Sequence, residues 1–230
     1  MKNKLYETDP EFMERFDYFT ATVVNEEGQQ LEERTRYMAI LATLLGCQGV
    51  DVYKETLEKA LTAGLTPVEV KEIVYQAVDY LGFGRVKPFL TATNEVFAEQ
   101  GIALPLAKQS TTTIENRLEK GVQAQAEIFG DRMKEAWKQG HINRWLAENC
   151  FGDYYTRTGL SLAQREMITF CFLAAQGGCE PQLVAHAKGN MNMGNDKEFL
   201  IRVVSQCLPY IGYPRSLNAV RCVNEAAEGK

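Results

Sequence analysis

The chain repeats itself, and that repetition limits its architecture more than any other feature. Shifted by 130 positions (194 − 64), Gly64 falls on Gly194, Gln76 on Gln206, Tyr80 on Tyr210, Gly82 on Gly212 and Arg85 on Arg215. At the same shift Asn94-Glu95 falls on Asn224-Glu225, and Ile73-Val74 on Val203-Val204. Upstream the shift is one less, so that Arg36 falls on Arg165 and Met38 on Met167. The repeated unit covers residues 31–99 and 160–228, and a helical lead-in precedes each copy. Two copies of so long a unit mark a duplication, because a solenoid stacks three or more.

No stretch alternates apolar and polar residues with period two, so the fold class is all-α. Residues 9–30 read as one helix, with Phe12, Phe16 and Phe19 three to four apart. Further helices are expected over 31–45, 50–63, 67–81 and 85–100, each closed by a glycine or leading into one. Thr66-Pro67-Val68-Glu69 is a capping box with proline at the first helical position, a strong start signal. The chain divides into a first unit, 1–104, a linker, 105–113, with Pro105 and a Ser-Thr-Thr-Thr run, and a second unit, 114–230.

The two copies differ at chemically capable residues. Glu166 falls on Tyr37 and His186 on Thr56, so any site of this kind belongs to the second copy and is degenerate in the first. In the second copy Gly177-Gly178-Cys179-Glu180-Pro181 breaks one helix and starts the next. Cys179 and His186 are seven positions apart (186 − 179), about two turns, and so share a face, with Gln182 near it. Cys179 sits at a helix start, where the dipole favours a thiolate. A thiol, an amide and an imidazole brought together there would suit a small molecule. The same residue types also fit a buried cysteine and a hydrogen-bonded core histidine. His141 reads as solvated surface; Tyr154 and Tyr155 could line the pocket, with packing the preferred reading.

Several function classes are disfavoured. A net charge of −5 with no basic block offers no footprint for nucleic acid. The longest apolar runs, 38–45 and 167–175, are too short to span a bilayer, and Met1–Glu7 turns acidic at once, unlike a signal peptide. Six cysteines without a Cys-x-x-Cys pair fit a reduced, cytoplasmic setting better than a disulfide framework or a zinc site. No metal or cofactor is expected.

The second copy carries Arg165-Glu166, Gly177-Gly178-Cys179, His186, Gly194 and Gln206-x-x-x-Tyr210-x-Gly212-x-Pro214-Arg215. The first carries Arg36, Gly64-x-Thr66-Pro67-x-Glu69, Gln76, Tyr80 and Gly82-x-x-Arg85. As a set these resemble the carboxymuconolactone decarboxylase family, which includes the alkylhydroperoxidase D-like proteins. The resemblance implies an all-helical fold with an antiparallel helix pair at its core. It also implies homo-oligomers: a chain with two fused repeats would form a trimer similar to the six-repeat assemblies of single-repeat members.

Two chemistries follow from the resemblance. In the lactone decarboxylases the family histidine, matched by His186, acts on a small carboxylated lactone; Arg165 or Arg215 could hold the carboxylate, and either could equally be a structural ion-pair partner. In the peroxidase branch the motif is a glutamate, a Cys-x-x-Cys and a histidine. Glu166, Cys179 and His186 match it, but Gln182 stands in place of the second thiol, so no local partner can resolve a sulfenic acid. The expectation leans to acid–base chemistry at His186. The alternatives are a thiol-dependent peroxidase using Cys179 and a non-catalytic oligomeric binding protein.

Overall fold

The computed structural model describes residues 4–23 and 31–229. A short α1, Leu5–Thr8, and α2, Pro10–Tyr18, open the chain, and α2 runs on as a π-helical turn, Phe19–Val23. The helix expected over 9–30 is therefore seen as far as Val23, and residues 24–30 lie outside the described residues. The first repeat continues with α3, Glu33–Cys47, α4, Val50–Thr62, α5, Pro67–Leu81, and α6, Phe83–Glu99. The second lead-in comprises α7, Arg117–Phe129, a 3₁₀ stretch, Asp131–Gln139, and α8, His141–Trp145, which runs on as a π-helix, Leu146–Tyr155. Then follow α9, Leu162–Gln176, α10, Glu180–Asn192, and α11, Lys197–Glu228, which breaks at Gly212. Among the described residues there is no strand, and no helix is long and apolar enough to cross a membrane.

The repeat is visible helix by helix. α3 and α9 start 129 positions apart (162 − 33), whereas α4 and α10 start 130 apart (180 − 50). The extra residue lies in the loop between them, Gln48-Gly49 in the first copy and Gly177-Gly178-Cys179 in the second. Gly82 and Gly212 both turn the chain through positive φ, 82° and 73°, and split each repeat's last helical pair at the same place. Thr66 accepts from the Glu69 N–H while the Glu69 carboxylate takes the Thr66 N–H, the reciprocal cap expected there.

The two repeats share one core, in which Leu41 and Leu45 of α3 and Ile73 of α5 join Phe170 and Phe172 of α9 and Val203 of α11. α3 and α9 cross where Gly46 meets Ala175, its own counterpart at the 129 shift (175 − 46). A Cβ on Gly46 would stand 2.6 Å from the Ala175 Cβ and 2.8 Å from the Phe172 carbonyl, so the crossing needs a glycine on one side. Between the repeats, Gln76 of α5 donates to Thr169 Oγ1 (2.9 Å) and to the Arg165 carbonyl (3.0 Å) of α9. The matching end of the structure is tied by Thr43 of α3 and Cys207 of α11, 2.8 Å apart. The glutamine that recurs at 76 and 206 thus belongs to the helix that each repeat lays on the other.

The second lead-in packs as a hairpin of α7 against the π-helix, with a small core of its own around Ile128, Phe151 and Tyr155. Gly121 and Gly152 bring the two backbones into direct contact there. This hairpin closes one side of the site described next.

Candidate active site

Ser161 caps α9 through its hydroxyl and Gln164 completes the box, which sets the register of the first turns. That register turns Arg165, Glu166 and Thr169 inward, where all three are buried. On α10 the inner face reads Leu183, His186, Ala187 and Asn190 at three- and four-residue spacing, so His186 is drawn in with the apolar stripe. His186 Nδ1 and Glu166 Oε2 are 2.9 Å apart. Tyr155 OH donates to the other carboxylate oxygen, Oε1, at 2.8 Å.

Behind this pair runs a buried polar chain. Thr169 Oγ1 and Tyr80 OH lie 2.8 and 2.9 Å from Tyr155 OH. Tyr155 gives its one proton to Glu166, so Thr169 and Tyr80 are the donors to it. Burial pushes both phenols well above the ordinary tyrosine range, which keeps them protonated and able to donate. Gln76 links Thr169 to Arg165, and Arg165 reaches Glu72 Oε2 at 3.0 Å. Glu72 is also gripped by Arg157 through Nε and Nη2 at 2.9–3.0 Å.

An ionised carboxylate only accepts hydrogen bonds, so with Glu166 charged the imidazole carries its hydrogen on Nδ1. Nε2 has no protein partner among the described residues, yet it is not one of the sealed, unpartnered polar atoms. His186 as a whole keeps 9% of its surface exposed. The ring stands edge-on between Tyr80 and Phe129, with centroids 5.6 and 5.3 Å away. A ring nitrogen left without a protein partner in an aromatic slot, with the far side of the ring fixed by a carboxylate, could give or take a proton at Nε2.

Gly189 lets Glu166 come so close. An alanine Cβ there would lie 2.5 Å from Glu166 Oε2, 2.9 Å from Phe129 and 3.0 Å from Ile128. The carboxylate can swing away, and alanine gains roughly 1 kcal/mol over glycine inside a helix. Gly189→Ala is expected to break the Glu166–His186 bond, and leaving the buried carboxylate short of a donor should outweigh that gain, a net loss of about 1–2 kcal/mol. Histidine ¹⁵N NMR checks this: the Nδ1 resonance of His186 should shift away from that of a hydrogen-bonded N–H. An unchanged resonance would show that the slot absorbs the methyl group.

The residues singled out in the sequence are only partly brought together. Glu166 and His186 meet. Cys179 does not join them: it is the N-cap of α10, about 10 Å along the axis from His186 at 1.5 Å per residue. Sharing a helix face does not bring side chains two turns apart into contact. The Cys179 thiol faces the Leu173 carbonyl (3.5 Å) and Gln176 (3.8 Å), and burial pushes it up, opposite to the activated thiolate expected at a helix start. It lines a separate recess of about 580 Å³ with Gly177, Pro214, Arg215 and Asn218. Gln182 is exposed on the outer face of α10.

Arg165, expected to hold a substrate carboxylate, is 0% exposed and is consumed by Glu72, Gln76 and the carbonyls of Arg157 and Thr158. It fastens the repeats together and has no face for a ligand. Arg215 donates to the Ala175 carbonyl and lies against Gly177, in the recess of Cys179 rather than beside His186. Tyr155, read as a packing residue, packs on Phe151 at 4.5 Å between centroids but also binds Glu166. No spacing in the sequence ties Tyr155 to Glu166, because they lie on different elements. Gly189 did leave a signal, since the 130 shift sets it against Lys59 (189 − 59).

The same place in the first repeat is a recess of about 200 Å³ lined by Arg36, Tyr37, Ile40, Thr56, Gln206 and Tyr210. Tyr37, Ile40 and Thr56 stand there for Glu166, Thr169 and His186. This recess has no acid–imidazole pair.

Comparison with known proteins agrees with this architecture. A 4-carboxymuconolactone decarboxylase from Acinetobacter baylyi is 25% identical over 125 residues, spanning 48% of this chain and 87% of that protein. The relative is thus matched almost whole by about half of this chain. A crystal structure from Burkholderia xenovorans LB400, provisionally described as a gamma-carboxymuconolactone decarboxylase subunit, superposes with a TM-score of 0.52. It is 21% identical, with 98% of this chain and 90% of that chain covered, a likeness of fold. Residues 10–95 and 141–225 each match the model of the carboxymuconolactone decarboxylase family, one match for each repeat. With both halves matched and the same helical unit built twice, this chain is a two-repeat member of the carboxymuconolactone decarboxylase family.

Proposed function

We propose that this chain is a small-molecule enzyme that decarboxylates a carboxylated lactone by acid–base chemistry at His186. The observation that carries the reading is the Glu166–His186 pair, 2.9 Å apart in an aromatic slot with Nε2 turned outward. The Acinetobacter baylyi relative, named a 4-carboxymuconolactone decarboxylase, supplies the substrate class. Loss of carbon dioxide breaks a carbon–carbon bond and leaves its electron pair on the conjugated lactone. An imidazolium Nε2–H delivers a proton to that carbanion and is reprotonated from solvent. Glu166 holds the ring and offsets its positive charge, and Tyr155 holds Glu166. The apolar walls, Phe129 and Tyr80, favour departure of carbon dioxide by excluding water from the carboxylate.

Assembly of copies belongs to the same reading. Phe83 and Tyr213, equivalent at the 130 shift (213 − 83), are 60% and 63% exposed and offer matching apolar surface for a trimer.

The test is to supply 4-carboxymuconolactone and follow both carbon dioxide release and loss of the lactone's ultraviolet absorbance. Turnover is expected, and Cys179→Ser should leave it unchanged, because the thiol lies outside the slot. Silence with the lactone, together with dithiol-dependent peroxide consumption that Cys179→Ser abolishes, would overturn the reading in favour of thiol chemistry. No turnover with either would leave a binding protein.

A further inference from the structure

Lys71 is a buried lysine that the catalytic reading does not use. It lies on α5 with 5% of its surface exposed, and it forms no ion pair among the described residues. Its ammonium donates to Asn94 Oδ1 and rests 5.8 Å from the Tyr75 ring centroid and 5.7 Å from that of Phe97. Taking an ammonium out of water without a counter-charge is unfavourable. The fold does not require a cation at this place, because the equivalent of Lys71 in the second repeat is Ile201 (201 − 71 = 130).

Lys71 opens onto a recess of about 710 Å³ between α5 and the non-helical segment 104–109. That volume is in the range of small-molecule pockets. Its charged lining is Lys71, Lys108, Arg157 and the single carboxylate Glu72. Glu72 is shared between Arg157 and the fully buried Arg165, so it leaves an excess of positive charge facing the space. Tyr75 lies beneath the Arg157 guanidinium at 5.4 Å, and Val68, Leu104 and Leu106 make the rest of the wall apolar.

We propose that this recess is a second ligand site, separate from His186, which binds a small carboxylate with an apolar body. The carboxylate pairs with Lys71 and Arg157, and the body lies on Tyr75 and the leucines of segment 104–109. The missing counter-charge of Lys71 comes from the ligand, which is why a costly cation persists there.

Isothermal titration calorimetry with benzoate, and with benzyl alcohol as its neutral counterpart, tests this on the intact protein. Benzoate is expected to bind and benzyl alcohol not. Lys71→Met keeps the side-chain volume and removes a buried charge, so it should melt no lower than wild type. It should weaken benzoate binding about tenfold or more, the effect of losing a charge-assisted hydrogen bond. His186→Asn should leave this binding unchanged. The proposal is overturned if wild type takes up no benzoate, or if Lys71→Met binds it as wild type does. Binding that survives Lys71→Met and disappears in His186→Asn would place the carboxylate at the His186 slot instead and likewise overturn it.

Discussion

His186→Asn is expected to lower kcat/KM for decarboxylation by about 10²- to 10⁴-fold, the usual contribution of a positioned general acid or base. Asparagine is the informative substitute. Its amide nitrogen occupies nearly the place of Nδ1, so it can still donate to Glu166 Oε2 and keep the buried carboxylate paired. What it removes is Nε2, the atom left to face the substrate. The fold should survive, as shown by an unchanged thermal midpoint, and the loss should fall on kcat. Glu166→Gln is the complementary change. The introduced amide would still accept from Tyr155 through its carbonyl oxygen, but its NH₂ group would donate to Nδ1 of His186. The imidazole would then carry its hydrogen on Nε2 without the charge that stabilises the protonated ring. A comparable loss of kcat is expected. If either variant turned over the lactone at the wild-type rate, the proton would have to come from elsewhere.

Gly121→Ala is expected to give the largest loss of stability, about 3 kcal/mol or more from forced overpacking. A Cβ at residue 121 would run into the Ala147 carbonyl, 2.9 Å from its carbon and 2.7 Å from the Gly152 nitrogen. Both belong to the π-helix backbone, which cannot rotate away as a side chain can. Gly152 faces the Arg117 carbonyl from the other side, so neither arm of the hairpin can yield. For a chain of this size the thermal midpoint should fall by roughly 6–12 °C. The damage should reach the site as well, because α7 carries Phe129 to the His186 ring and the π-helix carries Tyr155 to Glu166. Gly84→Ala is the control: nothing lies within 4 Å of its Cβ position, and alanine there should be neutral or slightly stabilising. A Gly121→Ala protein that melts with the wild type would mean the two lead-in backbones separate at little cost.

Helices and their order were legible because their signals are local. The Thr66 box, the glycines at 82 and 212 and the apolar spacing of 73–81 each act within a few residues. The duplication was legible because sequence compares with itself at a fixed shift. Comparing copies also isolated Glu166 and His186, two positions where a shared scaffold changes chemistry. Arg165 was open to two readings for a related reason. A repeated arginine beside a site glutamate looks like a substrate clamp, and only its placement against Glu72 and Gln76 of the other repeat shows it to be a fastener.

The site draws on parts that lie far apart in the chain. Tyr80 comes from α5, Phe129 from α7, Tyr155 from the π-helix, Glu166 from α9 and His186 from α10. Spacing along one helix could put Cys179 and His186 on the same face, but not tell that two turns of rise keep them apart or that Tyr155 would take the place beside Glu166. The sequence by itself determined an all-α chain of two like units with an acid and an imidazole in the second, because caps, periodicity and duplication act over short distances or fixed shifts. Which residues meet was decided by the tertiary structure, because hydrogen bonds between elements 70 or more residues apart, such as Tyr80–Tyr155, depend on how the two repeats pack across Gly46 and on the hairpin held by Gly121.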